Sequence, residues 1–312
     1  MSLATFLKLV EIKTKLCSVL PFFIGILFAY YQYGKLNIQN TLIFFFAMII
    51  FDMTTTAINN YMDYKKAKSE TYRREENIIG QKNIPERFVV TIILTMLTIA
   101  SILGIILVLR TNLILLLIGM VCFGIGIFYT FGPIPFSRMP LGEILSGLTM
   151  GFGIVFLSVY VNGFDQGIIS LTWQNRYIAI EMDLIALLEI TLISLPCIFT
   201  IANVMLANNI CDLEYDIKNQ RFTLPYYIGK QHAIFLFNIL YIASFAAIIV
   251  AVFLNLFPKI MLLSLIIFIP VYKHMTIFNK EQIKAKTFDV SVKNLVLIDG
   301  TIVSMLLLAV IL

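Results

Sequence analysis

Nine long apolar runs divide this chain of 312 residues, at 16–33, 41–60, 88–109, 112–130, 141–162, 185–207, 233–254, 257–273 and 294–312. A helix rises about 1.5 Å per residue, so roughly 17–25 apolar residues cross a hydrocarbon core about 30 Å thick. Lipid offers no partner for a bare N–H or C=O, which leaves helices as the way such runs can cross. Composition agrees: 60% of residues are hydrophobic and 13% charged, against roughly half and a quarter in soluble domains. The expectation is an all-α integral membrane protein of one domain, residues 1–312, with nine transmembrane helices. The first run follows Lys8, Lys13 and Lys15 and lacks a small-residue cleavage site, so it reads as a span rather than a cleaved signal.

Lys and Arg set the orientation. With nine spans, only Lys35, Arg110, Arg176 and Lys259 fall on one side. The other 19 of the 23 basic residues fall on the side of the N-terminus. The amino terminus is therefore expected in the cytoplasm and the carboxyl terminus outside, in a multi-pass protein of the cell membrane. This bias also accounts for the net charge of +5 without nucleic acid as a partner. The four cysteines include no Cys-x-x-Cys pair and read as reduced packing residues.

One pentapeptide pattern, Asn-Asn-x-x-Asp, occurs twice. Asn59, Asn60 and Asp63 end the second run; Asn208, Asn209 and Asp212 end the sixth. Polar and acidic groups are costly at the edge of a membrane span and are usually functional there. The second copy continues through Glu214 to Asp216, then Lys218 and Arg221. If the helix runs on, Asn208, Asp212 and Asp216 share one face at i, i+4 and i+8. Two carboxylates a turn apart repel unless a cation sits between them. Mg²⁺ does so, using one or two carboxylates, water and phosphate oxygens. The Asn amides can add neutral oxygens or donate to phosphate, and Lys218 and Arg221 can neutralise phosphate charge. In the first copy Asp63 is the metal-binding position, with Glu70 as a possible second carboxylate. Lys65, Lys66, Lys68, Arg73 and Arg74 follow; they suit a diphosphate and equally the ordinary cytoplasmic bias. Asp52, two turns before Asn59, is expected to face the interior. Asp299 is expected to pair with a polar residue or a helix end.

These residues resemble the UbiA-type intramembrane prenyltransferases, in particular their bacterial 1,4-dihydroxy-2-naphthoate branch. The resemblance rests on Ala207 to Gly229, with its Asp212-x-x-x-Asp216 and the Arg-x-Thr-Leu run from Arg221, on Tyr129 to Glu143, and on Phe6 to Gly25. It covers the whole chain. Asn60 stands where many relatives have Asp, and the region of Ser69 and Glu70 replaces a later acidic residue. The resemblance implies helices around a central cavity under a cytoplasmic cap of loops. It implies Mg²⁺ on Asp63, Asp212, Asp216 and Glu70, and a polyprenyl diphosphate held by Asn59, Asn60, Lys66, Asn208, Asn209, Lys218, Arg221 and Arg138. Tyr129 would join the three aspartates as a catalytic group. The loop with Gly132, Pro133, Pro135 and Pro140 would close over diphosphate and aromatic acceptor. Glu143 reads equally as a helix-dipole partner or a substrate contact. The acceptor implied is 1,4-dihydroxy-2-naphthoate, prenylated with decarboxylation to demethylmenaquinol; 4-hydroxybenzoate is the alternative ring. A carrier for a divalent ion or phosphorylated solute is the rival class, although carriers place such groups near the bilayer midplane.

Overall fold

In the computed structural model, residues 1–67, 70, 72–129, 131 and 136–312 are described. Lys68, Ser69, Gly132, Pro133 and Pro135 lie outside the described residues. Eight helices among those described are long and apolar enough to cross a membrane, so this is a multi-pass membrane protein. They are α1 (Ile12–Tyr33), α2 (Ile38–Lys66) and α3 (Glu86–Arg110), then α5 (Gly142–Gly163), α6 (Leu184–Cys211), α7 (Lys230–Phe253), α8 (Lys259–Lys280) and α9 (Lys284–Ile311). Between α3 and α5 lies α4 (Leu113–Phe128), apolar but only 16 residues long. That is about 24 Å of rise, short of a full crossing by length.

Helix limits follow capping chemistry. The Asn37 side chain accepts from Asn40 N at the start of α2, and Asp183 accepts from Ile185 N and Ala186 N at the start of α6, satisfying donors that a first turn leaves open. Gly34 ends α1 at φ 64°, a conformation that suits glycine. The helices then pack small residue to backbone. A Cβ at Gly25 of α1 would lie 2.6 Å from Val155 O of α5. One at Gly151 of α5 would lie 2.6 Å from Ile198 Cα of α6. Such close approach replaces the hydrophobic drive that lipid removes. Large apolar side chains such as Leu109 and Phe253 remain exposed around the bundle, as a lipid-facing surface requires.

One end of the bundle matters for the site. α2 and α6 each pack against both α1 and α5, which sets their carboxyl-terminal ends side by side. At the opposite end Arg110 donates to Asn40 and Gln39, Asn37 N donates to Asn162, and Lys35 pairs with Asp165 at 3.0 Å.

The segment between α5 and α6 departs from the all-α expectation. Strands β1 (Ile169–Gln174) and β2 (Tyr177–Met182) form an antiparallel hairpin in which Gln174 faces Tyr177. The two-residue turn is Asn175-Arg176, with Asn175 at φ 52°, a turn chemistry that favours hairpins. Trp173 and Tyr177, expected in an interfacial aromatic belt, are both exposed on it.

Candidate metal-diphosphate site

The first motif lies wholly within α2, which continues past the apolar run to Lys66. Successive residues of a helix are about 100° apart, so Asn59 and Asp63 share a side and Asn60 points elsewhere. Asn60 Nδ2 donates to Leu9 O at 2.9 Å and to Glu11 Oε1 at 3.3 Å, and its main-chain oxygen accepts from Asn77 Nδ2 at 2.9 Å. Asn60 therefore anchors α2 to the amino-terminal segment. Asp63 is half-buried, and the charges of Arg221, Arg138, Lys66 and Lys284 all act on it.

The second motif divides its residues in the same way. α6 ends at Cys211, Asp212 is its cap, and a short helix Leu213–Lys218 follows. Asp212 N donates to Asn208 O at 3.0 Å and Asp216 N to Asp212 O at 2.8 Å, so the i, i+4 relation survives the break. Asn209 is buried and turned aside; its Nδ2 donates to Glu143 Oε1 at 2.8 Å. Asn208 and Asp212 instead share one partner, the Lys284 ammonium at the start of α9. Lys284 Nζ donates to Asn208 Oδ1 at 2.6 Å and also to Asp212 Oδ2.

Asp216 is 1% exposed, and neither carboxyl oxygen has a hydrogen bond. Arg221 Nε stands 3.4 Å from Oδ1, a charge contact rather than a hydrogen bond. Burial pushes the Asp216 carboxyl up to about 6; Arg221 pulls it down, Asp212 raises it, Lys284 lowers it and Asp63 raises it. Asp63 of the first motif and Asp212 of the second thus both act on the Asp216 carboxyl.

The loop before α5 is laced to the second motif. Phe222 N donates to Arg138 O at 3.1 Å, Arg221 Nη2 to Ser137 O at 3.4 Å, and Ser137 N to Tyr129 O at 2.8 Å. The Tyr129 hydroxyl lies 3.7 Å from Met205 Sδ, beside the start of α5. Glu143 is 4% exposed, and its second oxygen, Oε2, has no partner.

Two expected site residues are placed elsewhere. Glu70 is exposed and pairs with Arg74 at 2.9 Å. Lys218 is exposed and is not among the cations whose charge acts on Asp63 or Asp216. Asp52 is already neutralised: Lys15 Nζ lies 2.7 Å from its Oδ1, and Ser18 donates to Oδ2. Asp299 is fully buried and accepts from Thr200 Oγ1 at 2.9 Å. Sequence reasoning missed Lys284, which lies 72 positions beyond Asp212 with no periodic link to it.

The donor set fits a hard divalent cation. The orphaned oxygens of Asp216 call for a positive partner, and Asp212 and Asn208 already share one in Lys284. Among the described residues no three His, Cys, Asp or Glu side chains are yet close enough to enclose an ion alone. Mg²⁺ takes few protein ligands and completes its shell with water and phosphate.

Comparison with known proteins identifies the family. The model of the UbiA prenyltransferase family matches residues 18–293. The 1,4-dihydroxy-2-naphthoate octaprenyltransferase of Bacillus subtilis (strain 168) is 28% identical over 243 residues, covering 77% of this chain and 69% of that one. The apo structure of a UbiA homolog from Aeropyrum pernix K1 superposes with a TM-score of 0.70 at 16% identity, covering 93% and 97% of the two chains. A UbiA homolog from Archaeoglobus fulgidus bound to GPP and Mg²⁺ gives 0.65 at 15% identity, covering 99% and 100%. The chain thus belongs to the UbiA prenyltransferase family and is a prenyltransferase enzyme.

Proposed function

We propose that this enzyme transfers a polyprenyl group from its diphosphate to 1,4-dihydroxy-2-naphthoate, with loss of the acceptor's carboxyl group as CO₂, giving demethylmenaquinol. The observation that carries the proposal is buried Asp216, whose carboxyl oxygens lack a hydrogen bond while Arg221 stands 3.4 Å away, next to Asp212 and Asn208 held on the Lys284 ammonium. Anionic and cationic groups paired in this way suit a metal diphosphate better than either alone.

Asp63, Asp212 and Asp216, with the carbonyl oxygens of Asn59 and Asn208, would hold Mg²⁺. When bound, the ion supplies a fixed positive charge to the oxygens of the leaving diphosphate. Arg221 and Arg138 bring guanidinium donors to the same oxygens, and Arg gives paired hydrogen bonds to phosphate. Lys66 adds charge from the end of α2. These groups stabilise charge as it develops on the leaving group. The allylic C–O bond breaks and its electron pair leaves with diphosphate. The electron-rich ring forms the new C–C bond at the carbon bearing the carboxylate. Loss of CO₂ returns its bonding pair to the ring, so no external oxidant or reductant is needed. The Tyr129 hydroxyl, beside the start of α5, would orient the acceptor. The apolar tail would lie between helices, open to lipid.

The proposed topology has nine spans. Support comes from α4, which starts near Asn112, where Tyr160 OH donates to Asn112 Oδ1 at the end away from the motifs, and finishes at Tyr129 beside the motifs. A helix that joins both ends crosses despite its length, by local thinning or displacement of the bilayer. Nine spans put the amino terminus and the site in the cytoplasm and the carboxyl terminus outside, in the cell membrane.

Membranes containing the enzyme, Mg²⁺ and a polyprenyl diphosphate, offered 1,4-dihydroxy-2-naphthoate and 4-hydroxybenzoate in competition, test the proposal by mass spectrometry. The expected product is the prenylated naphthoquinol lacking the carboxyl carbon. Prenylated 4-hydroxybenzoate as the dominant product would reassign the acceptor; prenylation of neither would refute the aromatic assignment.

A further inference from the structure

Lys284 occupies the position in which a divalent cation would be expected. Its ammonium bridges Asn208 Oδ1, at 2.6 Å, and Asp212 Oδ2, an amide carbonyl and a carboxylate one helical turn apart. That pair of oxygens is what a hard dication takes as ligands. An ammonium satisfies the same pair with half the charge. The side chain is held in place at its root. Ile283 N donates to Thr287 Oγ1 at 3.0 Å, Thr287 is 4% exposed, and the ammonium lies 5.8 Å from the Phe288 ring centroid. The lysine side chain is 48% exposed, so it is free to swing. Its charge also acts on both Asp63 and Asp216.

We propose that Lys284 is a tethered counter-ion that competes with the metal for Asp212 and moves onto the diphosphate when the two ligands arrive together. This rests on the reading of Asp212 as a metal ligand. Without diphosphate, a metal ion entering the site must displace an ammonium that then has no anionic partner. With diphosphate present, the displaced ammonium gains phosphate oxygens, and the cost vanishes. Metal and diphosphate therefore bind cooperatively, and by linkage each strengthens the other by the same factor. A site built this way stays closed to free metal and fills when substrate brings its own charge. Lys284 is in this sense a positioning residue for Asp212 in the empty state and a diphosphate contact in the filled one.

Mn²⁺ binding to the purified full-length protein, followed by electron paramagnetic resonance with and without inorganic pyrophosphate, tests the coupling. Lys284→Met should bind Mn²⁺ alone roughly three- to tenfold more tightly than wild type, the scale of a partly exposed ion pair. Pyrophosphate should then raise Mn²⁺ affinity less in the variant than in wild type. Lys284→Arg, which keeps the charge, should stay at the wild-type affinity. Should the Met variant not fold, Lys284→Gln removes the charge with a hydrogen-bonding end of similar reach and should tighten Mn²⁺ binding likewise. Unchanged or weaker Mn²⁺ binding in the uncharged variants would overturn the proposal. Asp212→Asn separates the two levels of the argument. If it abolishes Mn²⁺ binding while Lys284→Met leaves affinity unchanged, the metal site stands and the counter-ion role falls. If Asp212→Asn also leaves Mn²⁺ binding unchanged, the metal site itself is misplaced.

Discussion

The two copies of Asn-Asn-x-x-Asp use the same division of labour in different settings. In each, the first Asn and the Asp share a helix face, and the second Asn faces away to fasten the helix. Asn60 fastens α2 to Leu9 O, on the amino-terminal segment. Asn209 fastens α6 to Glu143, on α5. The second Asn of each copy thus serves the scaffold. Beyond this the copies diverge. The first contributes one carboxylate, Asp63, inside an unbroken helix, and the acid seven residues later, Glu70, is spent on Arg74 at the surface. The second contributes two carboxylates around a helix break and carries its own cation, Arg221. Arg221 balances Asp216 from within the second motif, whereas Asp212 draws its cation, Lys284, from α9.

Removing charged ligands should break this arrangement most severely. Asp212→Asn, Asp216→Asn and Asp63→Ala should each lower turnover by roughly a hundredfold or more, the scale at which charge stabilisation of a transition state is lost, with the proteins still inserted and folded. Turnover in membranes at saturating Mg²⁺ measures it. Near-normal activity of Asp63→Ala would leave the second motif as the whole site.

Acidity should distinguish the motifs next. Burial holds the metal-free Asp216 carboxyl near pH 6, well above its unfolded value. Because the folded pKa is raised, deprotonation opposes folding, and stability gains as pH falls toward 6. Metal binding runs the other way, since the ligand must be ionised. The Mg²⁺ concentration for half-maximal activity should therefore rise about tenfold per pH unit below pH 6. A flat Mg²⁺ requirement between pH 7 and pH 5 would remove Asp216 from the ligand set.

The supporting amides should show smaller effects, on folding more than on chemistry. Glu143→Ala leaves Asn209 buried without its acceptor and should cost about 1–3 kcal/mol of stability, with a modest loss of turnover. Asn60→Asp loses the donor to Leu9 O and sets a carboxylate beside Glu11. It should lower Tm without shifting the Mg²⁺ requirement. A shifted requirement would mean that Asn60 faces the metal after all.

Much of the architecture was legible from hydrophobic runs, because lipid permits few alternatives to a helix. The hairpin of β1 and β2 was not, since its strands lie outside the spans, where length and hydropathy decide nothing; only the Asn175-Arg176 turn signalled it. The i, i+4 relation of Asp212 to Asp216 was legible because it depends only on local backbone turns. Asn60 and Asn209, expected to bind substrate, instead hydrogen-bond Leu9 O and Glu143, contacts that the roughly 100° between neighbours makes possible. The Asn209 pairing with Glu143 and the Lys284 bridge join elements far apart in sequence. No spacing rule reaches them; only packing reveals them.

The central claim is that the two motifs form one site, and a double-mutant cycle across them tests it most directly. Turnover is measured for wild type, Asp63→Asn, Asp216→Asn and the double variant at matched Mg²⁺ and polyprenyl diphosphate. Groups that hold one ligand act as a unit, so the double variant should be little worse than the poorer single variant. Losses that simply multiply would contradict the account, because independent sites add in free energy.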